Sequence, residues 1–393
     1  HGNEGPLHVS RLQSNNPFQQ IYLDAARQAG FKINEDFNGE HQEGLGIYQV
    51  THHNGERWSA ARGYLHPHMN SRPNLQVHTG VLVQRIVFEG RRAVGIQYLQ
   101  NGVQHEVRAR KEVLLCAGAF NSPQLLMVSG VGPAAQLQSH GINVVHDLPG
   151  VGQNLQDHPD FIFGYEVDSR ELMGVSFKGA VHLTGEVFKY VRSREGMLAS
   201  NYAEAGGFIK SDPALAVPDL QLHFVMGLVD DHARQLRFAH GFSCHVCLLR
   251  PQSRGQLTLA SADMQQAPLI DPGFLKEEQD LETLVKGYKL TRQLLDAPAL
   301  ANVRQKDIFT AGVQTDDEIR HIIRQRADTV YHPVGTCKMG SDAMAVVDAQ
   351  LRVHGIEGLR VVDGSIMPTL IGGNTNAPII AIAEKAVDLI RAH

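Results

Sequence analysis

Residues 112–116 read Glu-Val-Leu-Leu-Cys and run directly into "AGAFNSPQLLMV". A short apolar run without alternation is what a strand buried on both faces needs, and such strands belong to parallel sheets. The run breaks at a glycine, and Asn121 or Ser122 then offers an oxygen to cap a helix led by Pro123. The end of the chain repeats the pattern: "LRVVD" as a strand, the glycine-rich "GSIMPTLIGGNTNAP", and the helix "IIAIAEKAVDLIRA", with Asn376 at its cap and Pro378 in its first turn. Strand, glycine and helix in that order are the units of an α/β fold. Each helix start carries free N–H groups and about half a unit of positive charge. It suits an anion, or a ring whose reduced form is anionic, and it is equally an ordinary helix start behind a flexible loop.

Other segments have other periods. "LQVHT", "LVQRIVFE", "AVGIQYL" and "QHEVRAR" read as strands split by "EGRR" and "NG" turns. "NNPFQQIYLDAARQAG" predicts a helix capped by Asn16 and ended by Gly30, with Phe18, Ile21, Tyr22, Ala25, Ala26 and Ala29 on its apolar face. Residues 31–70 read as loop-rich and polar, with several glycines. The middle, about 160–325, alternates strands such as "LQLHFV" with helices such as "DLETLVKGYKLTRQLL", and "TDDEIRHIIRQRA" opens with a capping box of Thr315 and Glu318. At 393 residues the chain is too long for one small core and predicts two or three domains.

Composition excludes some chemistry. A net charge of −5 with scattered basic residues gives no case for nucleic acid as a partner. Cys244 and Cys247 form a CxxC, but their surroundings read as a strand, where positions three apart face opposite sides, so no metal site is expected. There is no GxGxxG before a helix, no GxSxG and no HExxH. No apolar run approaches the ~20 residues that cross a bilayer, and no signal peptide is visible. The chain begins "HGNEGPLHV" without methionine, so the natural start, with any targeting segment, is expected upstream.

The stretch "YHPVGTCKMG" sets His332 between a tyrosine and a proline. Pro333 restricts His332 to extended backbone, which fixes where the ring points. An imidazole titrates near neutral pH, so His332 is either a general base or a loop histidine satisfied by hydrogen bonds.

These stretches carry a resemblance. "YHPVGTCKMG" with "VVDAQLRVHGIEGLRVVDGSIMPTLIGGNTNAPIIAIAEKAVDLI" resembles the C-terminal signature of the glucose–methanol–choline (GMC) oxidoreductases. "LLCAGAFNSPQLLMVSGVG", "DLPGVGQNLQDHP" and "RPNLQVHTGVLVQRIVFEGRRAVGI" resemble the same family's central part. The resemblance implies an α/β fold: a doubly wound sheet with a β-meander that binds FAD, and a substrate domain with an antiparallel sheet flanked by helices. It places the FAD domain at 71–158 and 326–393, and the substrate domain at 1–70 and 159–325. It implies oxidation of a primary alcohol to an aldehyde. His332 would take the hydroxyl proton, Asn374 would hydrogen-bond the developing alkoxide, and the hydride would pass to flavin N5. Cofactor contacts are implied at Val83 (adenine), Ala117 and Gly118 (adenosine), Asp363 and Gly364 (pyrophosphate and ribityl chain), and Thr375 and Asn376 (flavin ring). Asn154 and His158, in "NLQDHP", either approach the site or serve as structure behind it. The family's glycine-rich βαβ unit has no counterpart in the chain, so this chain alone is expected to hold FAD poorly.

"FNGEHQEGLGIYQVTHHNGERWSAARGYL" and "SNYAEAGGFIKS" resemble the aliphatic alcohol dehydrogenases of this family, which implies a cytoplasmic enzyme with peripheral contact to the membrane. Choline dehydrogenases are near relatives; a quaternary ammonium needs an aromatic or acidic cage, to which Tyr202 and Glu204 are candidates. The acceptor is a quinone or oxygen. A flavin-containing lyase without redox turnover, and an inert fragment with an interaction role, stay open as alternatives.

Overall fold

The computed structural model describes residues 2, 4–174, 177–230 and 238–392. They form two compact units. One gathers His1–Gln76, Pro159–Leu249 and Glu278–Asp328; the other gathers Val77–His158, Arg250–Glu277 and Thr329–His393. Residues 250–277 thus pack with the second unit, not with the substrate domain where the sequence reading put them. The reason is tertiary: Leu155 and Gly255 exchange backbone hydrogen bonds of 3.0 and 2.8 Å, and Leu257 N–H donates to Gly152. Nothing in the composition of 250–277 announces that partner.

The first unit is built on an antiparallel sheet. Its strands run in the order Lys306–Asp307, Pro159–Glu166, Gly241–Leu248, Leu220–Val225, Ala203–Ile209, Gly44–Ile47. Strand alternation divides the residues by face. Phe161, Phe163, Leu222, Phe224, Phe242, Cys244 and Val246 share the apolar face, where Phe161 and Phe163 meet Tyr288 of the helix Glu278–Leu295. Gly287 lets that helix close in, since a Cβ there would stand 2.9 Å from Val246. The helix Pro17–Gln28 buries Phe18, Tyr22, Ala25 and Ala26, and Tyr22 packs on Phe224. Asp160, Gln221, His223, His245 and Cys247 share the other face. Cys244 and Cys247 therefore diverge, as strand geometry requires. The strand Gly44–Ile47 lies within 31–70, read as loop-rich. Its glycines hid it, and they are needed: a Cβ at Gly46 would fall 2.0 Å from the Asn34 carbonyl oxygen. The capping box is present, with Thr315 N–H donating to Glu318 at 2.8 Å and Glu318 N–H to Thr315 Oγ1 at 3.3 Å.

The second unit has a three-stranded meander, Val81–Glu89, Arg92–Gln100 and Val103–Arg108. Asn101 and Gly102 both take positive φ, the geometry that favours Asn-Gly in a tight hairpin. "LQVHT", read as a strand, lies outside any strand. The strand Val113–Leu115 pairs in parallel with Leu359–Val361. Around this pair Leu126, Met127, Val131, Leu137, Val151, Val347 and Val361 are fully buried, forming the core that holds both strand ends. Among the described residues no helix is long and apolar enough to cross a membrane.

Candidate active site

The nine residues expected to carry the reaction or hold the cofactor lie in the second unit, whereas Tyr202 and Glu204 lie in the first. Two strand ends position most of them. Val113–Leu115 leads into the helix Gly118–Val128, and Leu359–Val361 leads to Asp363 and a single turn, Gly364–Ile366. The expectation that Asn121 or Ser122 caps a helix led by Pro123 is corrected. The helix begins at Gly118, whose φ of +83° starts it from a backbone conformation that glycine tolerates, and Pro123 lies inside it. A proline there deprives the Ala119 carbonyl of its helical partner. Thr336 supplies the replacement, its hydroxyl donating to Ala119 O at 2.5 Å.

Asp363 closes the start of this helix. Its Oδ2 accepts from Gly118 N–H at 2.9 Å and from the Ser122 hydroxyl at 2.5 Å, while its Oδ1 accepts from Ser365 N–H at 2.8 Å and from the Ser365 hydroxyl. Ser122 in turn accepts from Ala117 N–H at 3.0 Å. The carboxylate thus binds one strand end to the other, and Asp363, Gly118 and Ala117 form one cluster. Gly364 lies under the last helix, where a Cβ would stand 3.1 Å from Ile379. Val83 sits in the meander opposite Tyr98, beside a register shift.

The last helix runs Asn376–Arg391, so Thr375 holds the cap position and Asn376 the first turn, one residue earlier than expected. Thr375 makes no side-chain capping bond, and Pro378 has no N–H to satisfy. This start is open where the Gly118 start is closed. Just before it, in "IGGN", stands Asn374, exposed, with Nδ2 3.3 Å from His332 Nε2.

His332 is held by a segment the sequence reading left undecided. "NLQDHP" and "YHPVG" lie side by side, with Gln156 and Val334 exchanging backbone bonds of 3.0 and 2.9 Å. Asp157 Oδ1 accepts the backbone N–H of His332 at 2.9 Å and that of His158 at 2.8 Å, while its other oxygen accepts from Thr329. Asn154 Nδ2 donates to the Gly335 carbonyl at 3.1 Å, a framing role. His158 is fully buried and touches the candidate base itself: the two Nδ1 atoms are 3.0 Å apart and the rings meet edge to face. Its Nε2 is 3.0 Å from the Ile371 carbonyl oxygen. Burial pushes the His332 imidazole from its usual value down to about 4, so the ring is neutral at pH 7. Asp157 was missed by the sequence reading; the only signal for it was its place between Gln156 and His158.

Residues 2–160 match the N-terminal family profile of the GMC oxidoreductases and residues 251–383 the C-terminal one. The chain is 47% identical over 393 residues to an alcohol dehydrogenase (acceptor) of Pseudomonas putida, covering 99% of this chain and 71% of that protein. It is 45% identical over 395 residues to the mitochondrial choline dehydrogenase of Mus musculus, covering 100% of this chain and 66% of that one. Among solved structures, pyridoxine 4-oxidase from Mesorbium loti superposes with a TM-score of 0.86 at 28% identity, over 100% of this chain and 73% of its own.

Proposed function

Because this chain belongs to the GMC oxidoreductase family, we propose that it oxidises a primary alcohol to an aldehyde with FAD as cofactor. The observation that carries the reading is the neutral imidazole of His332 with Asn374 beside its Nε2, next to an uncapped helix start. The residues present fit a flavin. The open N–H groups of Thr375 and Asn376 suit the anionic end of a reduced ring. Gly118 has nothing within 4 Å of a Cβ position, which leaves room for a group against the backbone at Ala117 and Gly118. Asp363 serves through its backbone and through the cluster it ties together, since its carboxylate already has four donors. Val83 and Gly364 complete the set.

When bound, the flavin supplies the two-electron acceptor for the hydrogen on the alcohol carbon. The chain's own residues handle the proton. His332 Nε2 takes the hydroxyl proton, and Asn374 donates a hydrogen bond to the oxygen as negative charge gathers on it. A choline-like substrate draws less support from the candidate cage. Glu204 is fully buried, and one of its oxygens accepts from Gln19 Nε2 at 2.8 Å.

The test is anaerobic flavin reduction by a panel of alcohols that includes choline. Oxygen uptake and quinone reduction then separate the two acceptors. Reduction by aliphatic primary alcohols is expected, and a flavin that no alcohol bleaches would overturn the reading. The rate should stay level from pH 8 to about 5 and fall only as pH approaches 4, where His332 protonates. The same shift has a stability consequence. The neutral ring's contribution is fully present above the ordinary 6.5 and is lost as pH falls through about 4.

A further inference from the structure

A histidine acts as a base only through a nitrogen that carries a lone pair, and neutral imidazole has two tautomers. The hydrogen bonds around His332 select one. The Ile371 carbonyl oxygen can only accept, so the His158 Nε2 that lies 3.0 Å from it carries a hydrogen. A second proton on His158 would put a cation on a fully buried ring, at a large desolvation cost. Neutral His158 therefore presents a lone pair at Nδ1. The atom 3.0 Å away is His332 Nδ1, which must donate. His332 is left with its lone pair on Nε2, the nitrogen that Asn374 Nδ2 approaches at 3.3 Å.

We propose that His158 is a positioning residue that locks His332 in the Nδ1–H tautomer, with the Ile371 carbonyl as the fixed end of the chain. This rests on the reading of His332 as the base. The proton balance is simple. The alcohol O–H bond breaks and an Nε2–H bond forms, leaving His332 a cation whose Nδ1–H still donates to the lone pair of neutral His158. No proton has to move on to His158. Asp157 keeps the two rings in register by accepting both backbone N–H groups on one oxygen. The four-residue segment Ile371–Asn374 supplies both ends of the relay, its carbonyl at one and its amide at the other.

The experiment is a long-range ¹H–¹⁵N correlation spectrum of the full chain labelled at histidine, with His332 assigned by its loss in His332→Ala. Expected in the unmutated protein is a protonated Nδ1 and a bare Nε2 for His332, and the reverse for His158. A His332 ring protonated at Nε2 overturns the proposal without any variant. Two substitutions extend it. His158→Phe removes the acceptor and should mix the His332 tautomers and slow flavin reduction on the order of 10- to 100-fold. His158→Asn places an amide oxygen near the lost Nδ1 and should restore the tautomer and most of the rate. A His158→Phe protein with the unmutated signature would overturn the proposal. The two readings fail separately: a His332→Ala protein that reduces flavin at the parental rate removes the base assignment, whereas a slow His332→Ala protein with Nε2–H in the unmutated spectrum removes only the tautomer lock.

Discussion

The two helix starts of the second unit are built from the same sequence grammar and end in opposite states. At Gly118 the chain supplies its own anion: the Asp363 carboxylate takes the first N–H, and Ser122 takes the one before it. At Asn376 no side chain caps the helix, and Pro378 removes one donor from the count. Strand, glycine and helix follow one another at both places, so that order alone cannot tell them apart. What differs is whether a distant carboxylate arrives, and Asp363 arrives from 245 residues away. A helix start closed by its own protein is a structural joint. One left open beside a neutral imidazole is where the proposed chemistry would take place.

The sharpest way to break this contrast is at the open end. His332→Ala should slow flavin reduction by ~10²–10⁴-fold while the melting temperature stays near that of the parent. A parental rate would mean that the open start does not mark the site. At the closed end the effect should fall on stability instead. Asp363→Ala strips an acceptor from four donors and should cost roughly 3 kcal/mol, read by denaturant unfolding. A stable Asp363→Ala chain would show that this start needs no closing.

Asn374→Ala should come next, at about 30-fold in the reduction rate, or roughly 2 kcal/mol of barrier. Its amide is exposed, so it gains less than a donor in a dry site. If it proved more damaging than His332→Ala, the two roles would have to be exchanged. The smallest effect concerns the proline inside the closed helix. Thr336→Val should cost about 1–2 kcal/mol by stranding the Ala119 carbonyl. Adding Pro123→Ala returns a backbone N–H to that carbonyl and should recover part of the loss. A double variant no better than the single one would refute the account of why Thr336 is there.

Much of this was legible in the sequence because it is local. The Asn101–Gly102 turn, the Thr315–Glu318 capping box, the Asn16 cap and the divergence of Cys244 and Cys247 all follow from residues within a few positions of one another. His332 stands out as the candidate base on equally local ground, since Pro333 constrains its backbone directly. What escaped depends on chain brought from afar. His158 and His332 are 174 residues apart, and no periodicity encodes that two imidazoles will meet. The strand Gly44–Ile47 escaped because its glycines answer to the Asn34 backbone, not to strand propensity. The helix 118–128 begins five residues before its expected start because proline is usually a boundary, and Thr336, which lets Pro123 sit inside, lies 217 residues beyond Ala119.

Asp157 grips main chain, not imidazole: both bonds on its Oδ1 come from backbone N–H groups. The spacing between the two histidine α-carbons is therefore a property of the scaffold, indifferent to the identity of the side chains around it. For an engineer this divides the molecule. Side chains that leave these two amides alone can be varied in a library without moving the anchor, because the spacing is not stored in them. Position 157 belongs outside any such library. Even Asp157→Glu, which keeps the charge, lengthens the reach to both amides by a methylene and moves two rings at once.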